Sequence, residues 1–243
     1  MLILAHRGAS ADAPENTLDA FRLAVEQGAD GVELDAMVCG SGEVVVCHDQ
    51  RLKRLAGLDW EVERTPLWKL RQVDVGTALG FAPARIPTLA EVVDALPPNF
   101  LINIELKNDQ LDDRGLSHQV ATFVRNACLE KRILISSFSP WCLWRVAEIE
   151  PRLRRGFLID PDRCYLAQAH LLARLVAQHS VHLPDQACTA GRVSQWLESG
   201  REVAAWTVDL PDRALELQQM GVLYCITNRP SVLRAAVLSE VLG

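Results

Sequence analysis

The sequence predicts a single (β/α)8 barrel, and three observations carry the prediction. Eight short apolar, β-branched runs recur along the chain, each followed by a longer run with helical spacing, and 243 residues is the length one such barrel needs. A doubly wound open sheet uses the same unit, but eight repeats favour closure. At 49% hydrophobic and 23% charged the composition is that of an ordinary globular chain. No linker or low-complexity tract divides it, so residues 1–243 read as one domain.

The elements follow in order. "LILAH" (2–6) is the first strand, and "ENTLDAFRLAVEQG" after it places Leu18, Phe21, Ala24 and Val25 on one stripe that stops at Gly28. "GVELDA" (31–36) is the second strand. "EVVVCH" (43–48) follows it too closely for a crossover helix, which predicts a small hairpin inserted in the second βα connection. "TLAEVVDALPP" then opens on a Thr cap with Glu91 three residues on and stops at Pro97-Pro98. "LINIEL" (101–106) is the third barrel strand. The strands "RILISSF" (132–138), "RRGFLI" (154–159), "SVHL" (180–183), "EVAAWTV" (202–208) and "LYCIT" (223–227) complete the eight. The helical runs "SPWCLWRVAEIEP", "ARLVAQHS", "GRVSQWLES", "PDRALELQQMG" and "RPSVLRAAVLSEVLG" follow them in turn.

Several classes of function are excluded early. A net charge of −6 with no Lys/Arg stripe argues against nucleic acid as a partner, though one cationic site still admits a small anion. No apolar run approaches the roughly 18 to 20 residues that span a bilayer, and "MLILAHRG" lacks the basic region of a secretory signal. A cytosolic chain without stable membrane insertion is expected. The seven cysteines (39, 47, 128, 142, 164, 188 and 225) are odd in number and form no CxxC pair, which argues against disulfides and a thiolate zinc site.

In a barrel the reacting groups belong at the carboxyl ends of strands. The first strand ends in His6-Arg7-Gly8, the second carries Glu33 and Asp35, and the third carries Glu105 and Lys107. Strand side chains alternate between faces, so Glu33 and Asp35 point the same way. Two like charges on one buried face cost several kcal/mol unless a cation joins them. With Glu105 from the next strand they form a set of hard oxygens suited to Mg²⁺ or Ca²⁺. His6 and His48 flank this set, and imidazoles titrating near neutrality can serve as base and acid in one reaction. Arg7 and Lys107 add positive charge that fits a phosphate.

The ordered set His6-Arg7-Gly8, Pro14-Glu15-Asn16-Thr17, Glu33/Asp35, His48-Asp49 and Glu105/Lys107 resembles the glycerophosphodiester phosphodiesterase family. "IPTLAEVV", "ISSF", "AWTVD" and "GVLYCITNRP" extend the likeness over nearly the whole chain. The resemblance implies metal-dependent hydrolysis of a small glycerophosphodiester to an alcohol and sn-glycerol 3-phosphate. Glu33, Asp35 and Glu105 would hold the cation, His6 and His48 would exchange protons, and Arg7 and Lys107 would bind phosphate. Trp206 and His182 are further candidates for the substrate pocket. The nucleophile, water or the glycerol 2-hydroxyl, is left open. The alternatives are a lysophospholipase D-type enzyme on the same barrel and a non-catalytic phosphate-binding barrel.

Two departures from the family pattern stand out. Cys39-Gly40-Ser41-Gly42 replaces its usual Thr-x-Asp-Gly turn, and Thr227-Asn228 replaces Thr-Asp, with loss of a charge. Asn16 reads as support for the first βα loop. His118, His170 and His179 read as surface or core histidines, and Trp141, Trp144 and Trp196 as packing residues on helices.

Overall fold

Side-chain alternation on the strands decides the architecture. In the computed structural model, which describes residues 1–108, 112–159, 176 and 179–242, the strands are β1 (Leu2–His6), β2 (Gly31–Val38), β3 (Val44–Val46), β4 (Leu101–Leu106), β5 (Ile133–Ser137), β6 (Arg154–Leu158), β7 (Ser180–Pro184), β8 (Glu202–Trp206) and β9 (Tyr224–Thr227). All but β3 run parallel in the order β1-β2-β4-β5-β6-β7-β8-β9, and β9 pairs back onto β1, which closes a TIM barrel. One residue set on these strands, including Ile3, Val32, Leu34, Ile102, Ile104, Ile135, Val181 and Val203, is buried between the strands and the surrounding helices. The other set faces inward: Leu4, Leu134, Ala204, Tyr224 and Ile226 pack into the barrel's own apolar core. Continuing that inward face toward the strands' carboxyl ends brings up His6, Glu33, Asp35, Asn103, Glu105, Ser136, His182 and Trp206. The site is therefore a polar top layer on an apolar plug.

Helix starts follow the sequence signals. Thr17 Oγ1 accepts from the Ala20 amide to cap Leu18–Glu26, and Thr88 with Glu91 forms a reciprocal capping box on Leu89–Ala95. Strand ends differ from the expected ones by a residue or two; β8 stops at Trp206, and the Val208 amide bonds to the Ile226 carbonyl instead. The run "ARLVAQHS" falls mostly outside the described residues, as do Cys164 and His170. On helix Pro140–Ile149 the buried face is Cys142, Leu143 and Val146. This corrects the reading of Trp141 and Trp144 as packing residues: they occupy the other face and are 55% and 45% exposed, whereas Trp196 is buried. No helix among the described residues is long and apolar enough to cross a membrane.

The hairpin is present. β3 pairs antiparallel with β2, Ala36 opposite Val46 and Val38 opposite Val44. The segment after it does more than return the chain. Leu52, Leu55, Val62, Leu70, Val73, Val75 and Ile86 join Met37, Cys39, Val45 and Cys47 in a separate apolar cluster. This second core clamps the hairpin over one side of the barrel mouth. The Cys47 amide donates to the Asp35 carbonyl at 2.9 Å, so the next residue, His48, stands beside the end of β2.

Candidate active site

Backbone register assembles the site before any side chain does. His6 lies level with Glu33 across β1 and β2, and Asp35 lies level with Glu105 across β2 and β4. Beyond His6 the chain turns sharply. Arg7 has φ 56°, a left-handed value that costs a non-glycine residue on the order of 1 kcal/mol. Its amide is held by the Glu33 carbonyl at 2.9 Å and by Glu33 Oε2 at 3.1 Å. Gly8 at φ 84° continues the turn, and a Cβ there would lie 2.6 Å from the Ala20 carbonyl carbon.

Glu33, Asp35 and Glu105 each offer one oxygen, all within 4.8 Å of one another. Two cations already lie among them. Lys107 Nζ is 2.9 Å from Glu105 Oε1 and 3.7 Å from Asp35 Oδ1, and Arg7 Nε makes an ionic contact of 3.2 Å with Asp35 Oδ2. Three buried carboxylates share two cations, and Arg7 is also paired with Glu15, so negative charge is left over in the cluster. The imbalance falls on Glu33, whose carboxyl is raised well above its usual range by burial and by the nearby Asp35 and Glu105. Burial also raises Asp35, but Lys107 and Arg7 outweigh it and hold that carboxyl below its ordinary value. Burial is the main cause of the upward shift at Glu105, which Lys107 partly offsets.

The two histidines are each held by Nδ1. His48 Nδ1 is 2.7 Å from Asp49 Oδ1, and a carboxylate only accepts, so Nδ1 donates and Nε2 is left open. Asp49 is held in turn by Arg54 Nε at 2.7 Å, and the Arg54 guanidinium forks onto both oxygens of Glu15 at 2.8 Å. Arg7 Nη1 closes the chain onto Glu15 Oε1 at 2.8 Å. His6 Nδ1 meets Asn228 Oδ1 at 2.8 Å, and its Nε2 lies 3.9 Å from Glu33 Oε2. Burial, with Arg7 adding to it, lowers the His6 pKa below the ordinary value, which favours neutral imidazole at neutral pH.

These groups surround a cavity of about 220 Å³. His6, Arg7, Glu33, His48, Glu105 and Lys107 line its charged side; Phe138, Leu158, Trp206 and Ile226 line the other. Trp206 and Phe138 meet edge to face with centroids 5.8 Å apart. Asn103, Ser136 and His182 complete the lining, and Asn103 Oδ1, Ser136 Oγ, His182 Nδ1 and Trp206 Nε1 have no hydrogen-bond partner among the described residues. Asp35, too deep to line the cavity, is fixed by Asn16, whose Nδ2 donates to Asp35 Oδ2 at 2.8 Å. The loop Asn16 supports is thereby tied to the carboxylate cluster itself.

Of the nine residues expected at the site from sequence, eight line this cavity and the ninth, Asp35, lies behind it. Sequence reasoning passed over Asn103 and Ser136, although the alternation that marked Glu33 and Asp35 marks them too: each is a polar residue on the inward face of an apolar strand. Asp209 and the arginine at position 54 carry no such signal.

A cluster of hard oxygens, two open imidazole nitrogens and two fixed cations at the carboxyl end of a TIM barrel equip an enzyme that cleaves phosphoesters. The model of the glycerophosphoryl diester phosphodiesterase family matches residues 6–232. A glycerophosphodiester phosphodiesterase of Caldanaerobacter subterraneus subsp. tengcongensis is 33% identical over 235 residues, 96% of both sequences. Among solved structures, an Oleispira antarctica phosphodiesterase in complex with the product sn-glycerol-3-phosphate is similar with a TM-score of 0.84 and 28% identity, covering 98% of this chain and 96% of that one. The glycerophosphodiester phosphodiesterase of Thermotoga maritima is similar with a TM-score of 0.79 and 29% identity, over 97% of both. The chain belongs to the glycerophosphoryl diester phosphodiesterase family and is a phosphoric diester hydrolase.

Proposed function

We propose that this enzyme hydrolyses glycerophosphodiesters to an alcohol and sn-glycerol 3-phosphate, with His6 and His48 exchanging protons beside a divalent cation held by Glu33, Asp35 and Glu105. The observation that carries this reading is the pair of histidines tied back through Nδ1 beside one cavity that also holds two cations and the edge of a carboxylate cluster.

The donor set fits the cation. It is all carboxylate oxygen, which suits Mg²⁺ or Ca²⁺, and its surplus negative charge is what a dication neutralises. When bound, the cation neutralises charge on the non-bridging phosphate oxygens. Arg7 and Lys107 bind and orient the phosphate, each braced by carboxylates that keep the side chain extended into the mouth. One histidine takes a proton from the nucleophile, water or the glycerol 2-hydroxyl, and the other delivers one to the departing alcohol. Trp206 walls the glycerol carbons, and His182 lies at the floor of the pocket. A cavity of about 220 Å³ suits the glycerophosphate part of the substrate and leaves the alcohol group toward solvent. Free buried thiols at Cys39, Cys47, Cys142, Cys188 and Cys225 fit a reducing, cytosolic setting.

The test is release of glycerol 3-phosphate from glycerophosphocholine and glycerophosphoethanolamine with Mg²⁺, with Ca²⁺ and with EDTA. Metal-dependent release from both is expected, and His6→Ala and His48→Ala should each lose most turnover while still binding the cation. A folded, cation-binding protein that releases glycerol 3-phosphate from neither substrate refutes the reading.

A further inference from the structure

We propose that Asp209 and Asn228 are positioning residues that lock His6 in the tautomer with its proton on Nδ1, leaving the Nε2 lone pair open to the substrate. The inference rests on the reading of His6 as one of the proton-exchanging pair, and it concerns residues behind that group.

One line of hydrogen bonds runs from Asp209 through Asn228 to His6. Asp209, three residues beyond β8, accepts from Thr227 Oγ1 at 2.9 Å and from the Asn228 amide at 2.8 Å through Oδ1. Its other oxygen, Oδ2, lies 2.7 Å from the Asn228 side-chain amide. A carboxylate oxygen only accepts, so the group Asn228 turns toward it must be NH₂. That choice fixes the opposite end of the amide as the carbonyl, Oδ1, which faces His6 Nδ1 at 2.8 Å and takes a second bond from Ser10 Oγ at 2.9 Å. An amide carbonyl only accepts too, so Nδ1 must carry hydrogen. A neutral imidazole has a single N–H, and with that proton on Nδ1 the lone pair is on Nε2. Nε2 is the ring nitrogen on the Glu33 side, 3.9 Å from its carboxylate.

The lock is needed because the amide is ambiguous. An asparagine beside a histidine can present either end, and with NH₂ forward it selects the opposite tautomer, whose Nε2 cannot accept a proton. At His48 no such question arises, since Asp49 is a carboxylate and both its oxygens accept. At His6 the carboxylate stands one residue further back and acts through the amide. Asp209 does not line the cavity, so its effect on turnover has no direct route to the substrate.

The discriminating substitution is Asp209→Asn. The new amide keeps an acceptor for Thr227 and the Asn228 backbone but puts NH₂ where Oδ2 was. Two NH₂ groups then face each other, and Asn228 must turn over, giving its own NH₂ to His6 Nδ1. Two measurements follow: kcat and KM on glycerophosphocholine with Mg²⁺, and two-bond ¹H–¹⁵N spectra of protein labelled at its six histidines, with His6 assigned from the His6→Gln variant. Wild type should show the Nδ1–H pattern for His6. Asp209→Asn should show the Nε2–H pattern, with kcat down about tenfold or more and KM within about twofold. Adding Asn228→Asp in the same chain should restore both, because a carboxylate at 228 accepts from Nδ1–H in either orientation. An unchanged His6 pattern in Asp209→Asn overturns the proposal, and so does a double variant no faster than the single one. The tautomer is read without substrate, so an inactive wild type counts against the hydrolysis reading alone.

Discussion

At the scale of single residues, His182 shows how the barrel uses a histidine that does not titrate near neutrality. It is completely buried, its Nε2 lies 3.0 Å from Ser180 Oγ, and burial pushes its pKa down to about 3. Room for the ring comes from Gly156 on the adjacent strand, where a Cβ would stand 2.2 Å from His182 Nε2. In the unfolded chain the same imidazole takes a proton near pH 6.5, whereas the folded protein refuses it until about pH 3. Between those values the unfolded state binds more protons, so stability rises with pH and the full contribution is present only above pH 6.5. One proton corresponds to at most about 1.4 kcal/mol per pH unit. Between pH 7.5 and pH 5, wild type should therefore lose about 2 kcal/mol more unfolding free energy than His182→Gln, by urea titration at both pH values. Equal losses would mean that the folded protein protonates His182 as readily as the unfolded chain does.

At the scale of elements, the hairpin and the segment behind it carry a catalytic candidate on a scaffold of their own. His48 is fixed to the barrel at two places: by the Cys47 amide on β2, and through Asp49, Arg54 and Glu15 to the loop that holds Arg7. Arg54→Ala should release the second tether. Because Arg54 is 44% exposed the ion pairs add little stability, and unfolding free energy should change by less than about 1 kcal/mol. Turnover should fall about tenfold, through a less well held His48, with cation affinity unchanged. A variant as active as wild type would show that the hairpin alone positions the imidazole. The same region marks where the sequence stopped being readable. Strands β1, β2 and β4 were legible because carboxylates and a histidine interrupt apolar alternation at the right phase. Between residues 49 and 87 the helices Lys53–Ala56 and Leu67–Leu70 are a single turn each, too short for a 3.6-residue period to register, yet Leu52, Leu55 and Leu70 build a real core. The Arg54–Glu15 link spans 39 residues and the His6–Asn228 bond spans 222, distances over which no local pattern speaks. From sequence, Asn228 is a departure that has lost a charge. The carboxylate is instead supplied by Asp209 from the neighbouring strand end.

At the scale of the whole molecule, the barrel stores an electrostatic imbalance at its mouth. The apolar plug of Leu4, Leu134, Ala204, Tyr224 and Ile226 beneath the site offers no counter-charge, and among the described residues the fixed cations paired with this carboxylate cluster are Arg7 and Lys107. Burying the unmatched carboxylate costs folding free energy, and a cation bound there in the folded state alone returns it. At a cation concentration one hundred times Kd the gain is about 2.7 kcal/mol, a rise of several degrees in Tm for a chain of 243 residues. Glu33→Gln separates this from general salt effects because it acts in opposite directions in the two conditions. In EDTA the variant should melt above wild type, since it removes the carboxyl that burial, Asp35 and Glu105 all penalise. With Mg²⁺ or Ca²⁺ it should gain much less than wild type, because one of the three proposed ligand oxygens has lost its charge. Thermal melts of both proteins in EDTA and in each cation, at constant ionic strength, supply the four values needed. If Glu33→Gln gains as many degrees from the cation as wild type does, Glu33 is not a ligand and its burial beside Asp35 needs another cause.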